Sequence, residues 1–287
     1  MKKNDILTIC INYYNQQEVF AFIKKLFAQQ NYHNQKVIVV DNSDELDDKS
    51  MLFKSFGSDK RVLIYHPGKN LGYFGGASWG LKQYLKEFSL PDWVIVCNTD
   101  IDFPDNNFFM RLLHFHADNP VAVITPTIIS ERSGRIQDTY MHMPKRPSRL
   151  RMHFYKWVSR YYFTLITYQI LSLLKERIGD QLKQSLTQID STIQSGNKPV
   201  KVYAPSGVFV IFHRSYFEAG GNLNHGVFLF GEEIFVAETA RRLHLSVLHD
   251  PRLKIVHKGH STTDIIKSPQ IAHFIRESAA YCANTFF

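Results

Sequence analysis

The 287-residue sequence holds only three cysteines, Cys10, Cys97 and Cys282. An odd count with no metal-ligand spacing excludes a disulfide framework and a thiolate metal site. Cys10 and Cys97 lie inside apolar, strand-like runs and read as small buried hydrophobes of a reducing compartment. No stretch reaches the roughly 18 apolar residues that span a bilayer. The apolar run after Met1-Lys2-Lys3-Asn4-Asp5 is too short for a signal-peptide core, and no small-residue cleavage site follows it. The expectation is therefore a protein that stays in the cytoplasm or lies peripherally on the inner face of a membrane. Internal repeats and low-complexity tracts are absent too, so the chain reads as one domain over residues 1–287.

What is present is a formal charge of +8, with 44% hydrophobic and 14% aromatic residues. The charge speaks to partners and leaves nucleic acid, anionic lipid and phosphorylated substrates open. The first 125 residues alternate strand and helix signals. Continuous β-branched runs at 6–11, 36–41, 61–65, 93–97 and 121–125 predict strands buried on both faces. Helical spacing predicts helices over 15–30, 45–56, 75–88 and from Pro104 to about Asp118. That rhythm predicts an α/β fold, a mostly parallel, Rossmann-like sheet with helices on both faces. Residues 130–198 break it. A polar stretch reads as a long loop, a basic and aromatic helical segment follows over 149–174, and a Gln- and Ser-rich stretch ends in the breaker Gly196-Asn197-Lys198-Pro199. Strand signals return over 200–212, at 246–249 and at 253–257, with helices over 232–243 and from Pro269.

Open parallel sheets bind ligands beyond the carboxyl ends of their strands. Here those ends carry Asn12-Tyr13-Tyr14-Asn15, Asp41-Asn42-Ser43 and Asn98-Thr99-Asp100-Ile101-Asp102. Asp100 and Asp102 are hard oxygen ligands that suit Mg²⁺ or Mn²⁺; a turn and helix cap would use the same residue type. Gly72, Gly75 and Gly76 permit close backbone approach to a phosphate at a helix start. The loop is neither a Walker sequence nor Gly-x-Gly-x-x-Gly.

Taken in order, these segments resemble the GT-A-fold glycosyltransferases of family 2, a group that includes bacterial rhamnosyl-, galactosyl- and glucosyltransferases of surface polysaccharides. Thr8-Ile-Cys-Ile-Asn-Tyr-Tyr-Asn15 is similar to that family's opening strand. Val39-Val-Asp-Asn-Ser43 is similar to its second strand, whose Asp contacts the nucleotide base. Asn70-Leu-Gly-Tyr-Phe-Gly-Gly-Ala-Ser-Trp-Gly80 follows its glycine loop, with Ser78 where Asn is usual. Cys97-Asn-Thr-Asp100 stands at the Asp-x-Asp-type metal motif, with Asn98 replacing the first Asp. Further on, Gly207 to Gly221 resembles the strand and turn leading to the acceptor site. Phe228-Leu-Phe-Gly-Glu-Glu-Ile234 resembles the segment bearing the catalytic base.

The resemblance implies a metal-dependent, inverting transfer of a hexose or deoxyhexose from a nucleoside-diphosphate sugar, UDP or dTDP favoured, to a glycan or lipid-linked glycan. It implies Glu233 as base with Glu232 as the alternative, Asp100, Asp102 and His257 around the divalent ion, and Asn12, Tyr14, Asn15, Asp41, Asn70, Gly72, Gly76, Asn98 and Thr99 around the nucleotide sugar. Without it, the two glutamates read as first-turn acids complementing a helix dipole. His257 and His260 likewise read as strand-end surface residues.

On this division residues 5–128 bind the donor, 130–198 form a helical insert, and 199–287 carry the base and the C-terminal helix. Between 145 and 160 lie Lys145, Arg146, Arg149, Arg151, Lys156 and Arg160, interleaved with Phe154, Tyr155 and Trp157. Such a helix suits an anionic membrane surface; a core helix or a homodimer contact is the other reading. No nucleic-acid module is visible, so nucleic acid is not an expected partner. A sugar-nucleotide-binding protein without activity is the remaining alternative.

Overall fold

The computed structural model describes residues 5–29, 31–32, 34–45, 51–115, 121–131, 143–172, 198–259 and 268–287. Its strands are β1 (Ile6–Asn12), β2 (Gln35–Asp41), β3 (Val62–Tyr65), β4 (Trp93–Cys97), β5 (Ile101–Asp102), β6 (Val121–Ser130), β7 (Val200–Val202), β8 (Phe209–His213) and β9 (Ser246–His257). The helices are α1 (Gln16–Gln29), α2 (Met51–Phe56), α3 (Tyr73–Tyr84), α4 (Phe108–Leu113), α5 (Arg149–Val158), α6 (Arg214–Glu218), α7 (Glu232–Arg242) and α8 (Pro269–Phe286). A further helical run covers 162–172.

Strand side chains alternate between faces, and apolar residues at every position force burial on both. Ile6 and Cys10, Val37 and Val39, and Ile95 and Cys97 pack into one layer with α1, α2 and α4. Leu7 and Ile9, Ile38 and Val40, and Val94 and Val96 pack into the other with α3, α6, α7 and α8. Ile95 is fully buried, so its truncation to alanine would cost about 2–5 kcal/mol.

The sheet runs β3-β2-β1-β4-β8-β6-β9-β5, with β7 paired to β9. The first four strands are parallel, as the β–α rhythm predicts. Strand β8 then enters antiparallel between β4 and β6, and β6 and β9 are again parallel. This mixed α/β sandwich is the GT-A type of architecture that the motifs imply. The β8 insertion carries residues from the second half of the chain against the carboxyl edge of the parallel strands of the first.

Several local readings change. The helix expected to open at Pro104 starts at Phe108, because the Asp105 carboxylate accepts from the Asn107 amide and from Arg111 and builds a turn instead. The two short strands expected over 246–257 are one strand with a bulge. Its register with β6 jumps from Pro126↔Asp250 to Thr127↔Lys254, and Asp250 holds the bulge by accepting from the amide and guanidinium of Arg252. Helix α5 stops at Val158 rather than running on to 174. The Ser159 hydroxyl donates to the Tyr155 carbonyl and the Thr164 hydroxyl to that of Val158, so its last turn is closed off. Residues 46–50 of the predicted second helix, 176–197 of the Gln- and Ser-rich stretch and His260 lie outside the described residues. Among those residues, no helix is long and apolar enough to cross a membrane.

Candidate active site

Parallel register places Asn12 at the end of β1 beside Asp41 at the end of β2. Both are buried, and the Asn12 amide donates to Asp41 Oδ1 at 2.9 Å. Asn12 Oδ1 accepts from the Asn15 amide, and the Asn15 side chain donates to Glu18, which also receives the Thr99 hydroxyl. Four motif positions, 12, 15, 41 and 99, are thus joined through Glu18 into one continuous network. Tyr14 is bound more loosely to it, its amide on Ser43 Oγ and its phenol donating to Asp44.

The glycine loop is locked to the same edge. Asn42 donates to Asn70 Oδ1 at 3.2 Å and to the Gly72 carbonyl at 2.9 Å, while Asn70 Oδ1 accepts from the Gly72 amide. Gly72 has φ +73°, and a Cβ there would sit 2.0 Å from the Phe228 carbonyl oxygen. Only glycine lets the loop lie against the 228–233 segment. A Cβ on Gly76 would lie 3.0 Å from Ile11 and 3.1 Å from Asn42, a tight but less severe contact. Helix α3 opens immediately after Gly72, with no side-chain cap and no acid in its first turn, so its free amides present a positive end to the edge.

Gly207, just before β8, joins the two halves. The Tyr73 hydroxyl donates to its carbonyl at 3.1 Å, and its amide donates to the Glu233 carboxylate. One residue further, the Val208 carbonyl accepts from the Asn98 amide. Ahead of α7, Phe230 and Gly231 both take positive φ, 70° and 83°. An aromatic residue there is uncommon and stores strain. Glu232 Oε1 accepts from the Phe230 amide at 3.0 Å and so ties down this turn. Burial, and then the neighbouring Glu233, push the Glu232 carboxyl from 4.5 to about 8. Burial also raises Glu233, against the Gly207 hydrogen bond that lowers it. The turn therefore separates two adjacent carboxyls: Glu232 bonds its own backbone, whereas Glu233 faces Gly207 and a cavity.

At the other end of the edge, β5 pairs antiparallel with β9. Asp100 Oδ2 lies 3.2 Å from His257 Nε2, and both side chains are largely buried. Asp102, expected beside them, is instead held by Lys25 at 2.7 Å and Lys258 at 3.1 Å. Among the described residues, no cluster of three His, Cys, Asp or Glu side chains is preformed for a metal.

A profile of glycosyl transferase family 2 matches residues 8–179, well over half of the chain. The chain belongs to glycosyl transferase family 2. That span carries the donor-side motifs of the family 2 chain, while Glu232, Glu233 and His257 lie beyond it. The fold is also found in solved structures. One, described as GalNAc-T7 with UDP, GalNAc and Mn²⁺, superposes with a TM-score of 0.58 at 11% identity, over 90% of this chain and 44% of that one. The family 2 chain therefore spans under half of that protein's length. Another, mannosyltransferase PcManGT from Pyrobaculum calidifontis in complex with GDP-Man and Mn²⁺, gives 0.50 at 13% identity, over 96% of this chain and 69% of that one. None of the curated proteins matches in sequence.

Sequence reasoning missed Glu18, Asn42, Tyr73 and Gly207 as parts of this family 2 site. Asn42, Tyr73 and Gly207 stand inside motif segments and were legible by position. Glu18 on α1 gains its role from packing alone. The cavity beside Glu233, about 720 Å³, is walled by α5, the 162–172 run and α8.

Proposed function

We propose that this chain transfers a hexose or deoxyhexose, with inversion, from a nucleoside-diphosphate sugar to a hydroxyl of a glycan or lipid-linked glycan in bacterial surface polysaccharide synthesis. The observation that carries the proposal is the meeting on Gly207. The donor loop reaches that residue through Tyr73, and the Glu233 carboxylate reaches it from the acceptor side. A base and a donor site held on one residue suit a single displacement, in which the acceptor hydroxyl attacks as its proton leaves.

Glu233 is the proton acceptor, since Glu232 is committed to the Phe230 turn. Burial raises its pKa above that of an ordinary carboxylate, which makes it a stronger base. Asn12, Asn15, Asp41 and Thr99 form the floor for the nucleoside, with Tyr14 at its rim, and Asp41 favours a uracil- or thymine-type base. The free amides at the start of α3, set by Asn70, Gly72 and Gly76, face the diphosphate, with Asn98 across from them.

The donor set fits a divalent cation. Asp100 supplies a hard carboxylate oxygen and His257 an imidazole nitrogen within one contact of each other. Two protein ligands leave positions for diphosphate oxygens, as is usual for Mg²⁺ and Mn²⁺. Such an ion, when bound, neutralises charge on the departing diphosphate. Both solved structures of similar fold contain Mn²⁺, which supports the same choice. Asp102 acts here as the anchor of two lysines, which adds net positive charge to this end of the edge.

The outer face of α5 supports a peripheral membrane location. Leu150, Phe154 and Trp157 fall at helical spacing and are 84%, 52% and 61% exposed. Arg149, Lys156 and Arg160 flank them, while Met152 and Val158 face inward. An apolar stripe bordered by cations suits an anionic bilayer on the cytoplasmic side.

A thermal-shift screen of UDP, dTDP and GDP, each with and without Mn²⁺, tests the donor site. A ligand at a hundredfold excess over its Kd stabilises by about 2.7 kcal/mol. The expected result is a metal-dependent rise with one nucleotide that Asp100→Ala removes. No rise with any of the three at millimolar concentration would overturn the reading.

A further inference from the structure

The cavity of about 720 Å³ beside Glu233 has a volume suited to a small ligand. Its described lining includes one acid, Glu233, and two cations, Lys145 and Arg151, with Tyr155, Tyr168 and Phe230 as aromatic wall. Neighbouring cations are already used. Arg146 and Arg241 are ion-paired to the buried Glu238 at 2.7 and 2.8 Å, and Lys156 donates to Asn284. Among the described residues Lys145 and Arg151 have no acidic partner. Ser148 caps α5, whose first turn contains no acid, so the positive end of a ten-residue helix adds to both side chains. Two cations and a helix N-terminus against one carboxylate leave the cavity positive even with Glu233 ionised.

We infer that this cavity is the acceptor site and that it takes a phosphorylated acceptor, whose phosphate sits on Lys145 and Arg151 while a hydroxyl of the same molecule reaches Glu233. The inference rests on the reading of Glu233 as the base. Arginine and lysine together give a phosphate a directional fork and a point charge. The aromatic wall gives the rest of the acceptor an apolar or sugar-stacking surface. Tyr168 connects this wall to the outer face of α5, its ring 5.9 Å from Tyr155 in the cavity and 6.2 Å from Phe154 on the exposed stripe. A phosphate carried by a lipid could therefore enter alongside the stripe. A water-soluble sugar phosphate offers the same anion without that contact.

The test is calorimetric titration of the full chain, first with the nucleoside diphosphate and Mn²⁺ to saturation, then with octyl phosphate, octyl glucoside or glucose 1-phosphate. Octyl phosphate should bind to the nucleotide-loaded protein and octyl glucoside should not. Lys145→Ala/Arg151→Ala should weaken octyl phosphate on the order of tenfold or more, with an unchanged melting temperature. Tighter binding of octyl phosphate than of glucose 1-phosphate assigns the lipid-borne source, and the reverse order the soluble one. Equal binding of octyl glucoside and octyl phosphate to the parent, or an undiminished octyl phosphate affinity in the double variant, would overturn the phosphate site. Nucleotide binding without octyl phosphate binding removes this inference alone. Absent nucleotide binding is instead a failure of the transferase reading, and octyl phosphate binding then stands as support for the cavity by itself.

Discussion

Alanine at position 207 would place its Cβ 2.4 Å from Glu233 Oε1 and 3.1 Å from the carboxyl carbon. Ordinary contact for a Cβ begins at 3.4 Å, so the carboxylate must retreat by about 1 Å. Gly207 is not one of the positive-φ glycines, so the alanine backbone fits without strain. The damage therefore concentrates on the proposed base and its amide donor, and stability should change by less than about 1 kcal/mol. A displacement of that size from reactive geometry costs about a hundredfold in rate, or about 2.7 kcal/mol of transition-state stabilisation. Steady-state transfer assays with the donor found by the nucleotide screen should show that fall in kcat while donor KM stays close to the parent value. Full activity in Gly207→Ala would refute the placement of the base. A large drop in Tm would refute the claim that the contact is local.

Four further outcomes follow from the geometry. Glu233→Gln should lower kcat by roughly 10²–10⁴-fold, whereas Glu232→Gln should leave most of the rate, because the amide oxygen can still accept from Phe230; the two kcat values decide it. Glu232 has a folded pKa of about 8 against an ordinary 4.5, so the folded state holds the proton longer. Its contribution is full below about 4.5 and is lost as pH rises through about 8; melting curves across that window should slope downward in the parent and flatten in Glu232→Gln. Arg146→Ala removes one of two arginines from Glu238, whose side chain is 0% exposed; urea unfolding should show a loss of roughly 2 kcal/mol, and no loss would mean that Arg241 alone suffices. Phe154→Ser/Trp157→Ser should reduce flotation with anionic vesicles without lowering Tm, and unchanged flotation would count against the α5 dock.

Much of the site was legible because its parts are local. Apolar β-branched runs marked the parallel strands, since a strand buried on both faces has no polar option. The sheet rule then puts Asn12, Asp41, Asn98 and Asp100 at one edge from the sequence alone. The glycine loop was legible in part: glycines there mark a close approach, expected toward a phosphate, and at Gly72 the group approached is the Phe228 backbone. Short polar turns were less legible. Asp105 and Asp250 each build a turn by bonding neighbouring residues, which moved a helix start and fused two strands. Nothing in hydrophobic periodicity records such a competition.

Residue order and chemistry alone determined the layered α/β class and the acidic and glycine-rich edge, because each is written in a few consecutive residues; Glu232 and Glu233 became candidates only through the family resemblance of their segment. Only tertiary structure decided how they combine. The antiparallel entry of β8 brings Gly207 between Tyr73 and Glu233, residues 134 and 26 positions away in the chain. Packing of α1 brings Lys25 to Asp102 and so gives a different partner to the aspartate that the sequence already ranks behind Asp100. A turn with two positive φ angles gives Glu232 and Glu233 different partners. These assignments depend on distances between segments far apart in sequence. Local residue preferences do not encode them, and the closing of the sheet does.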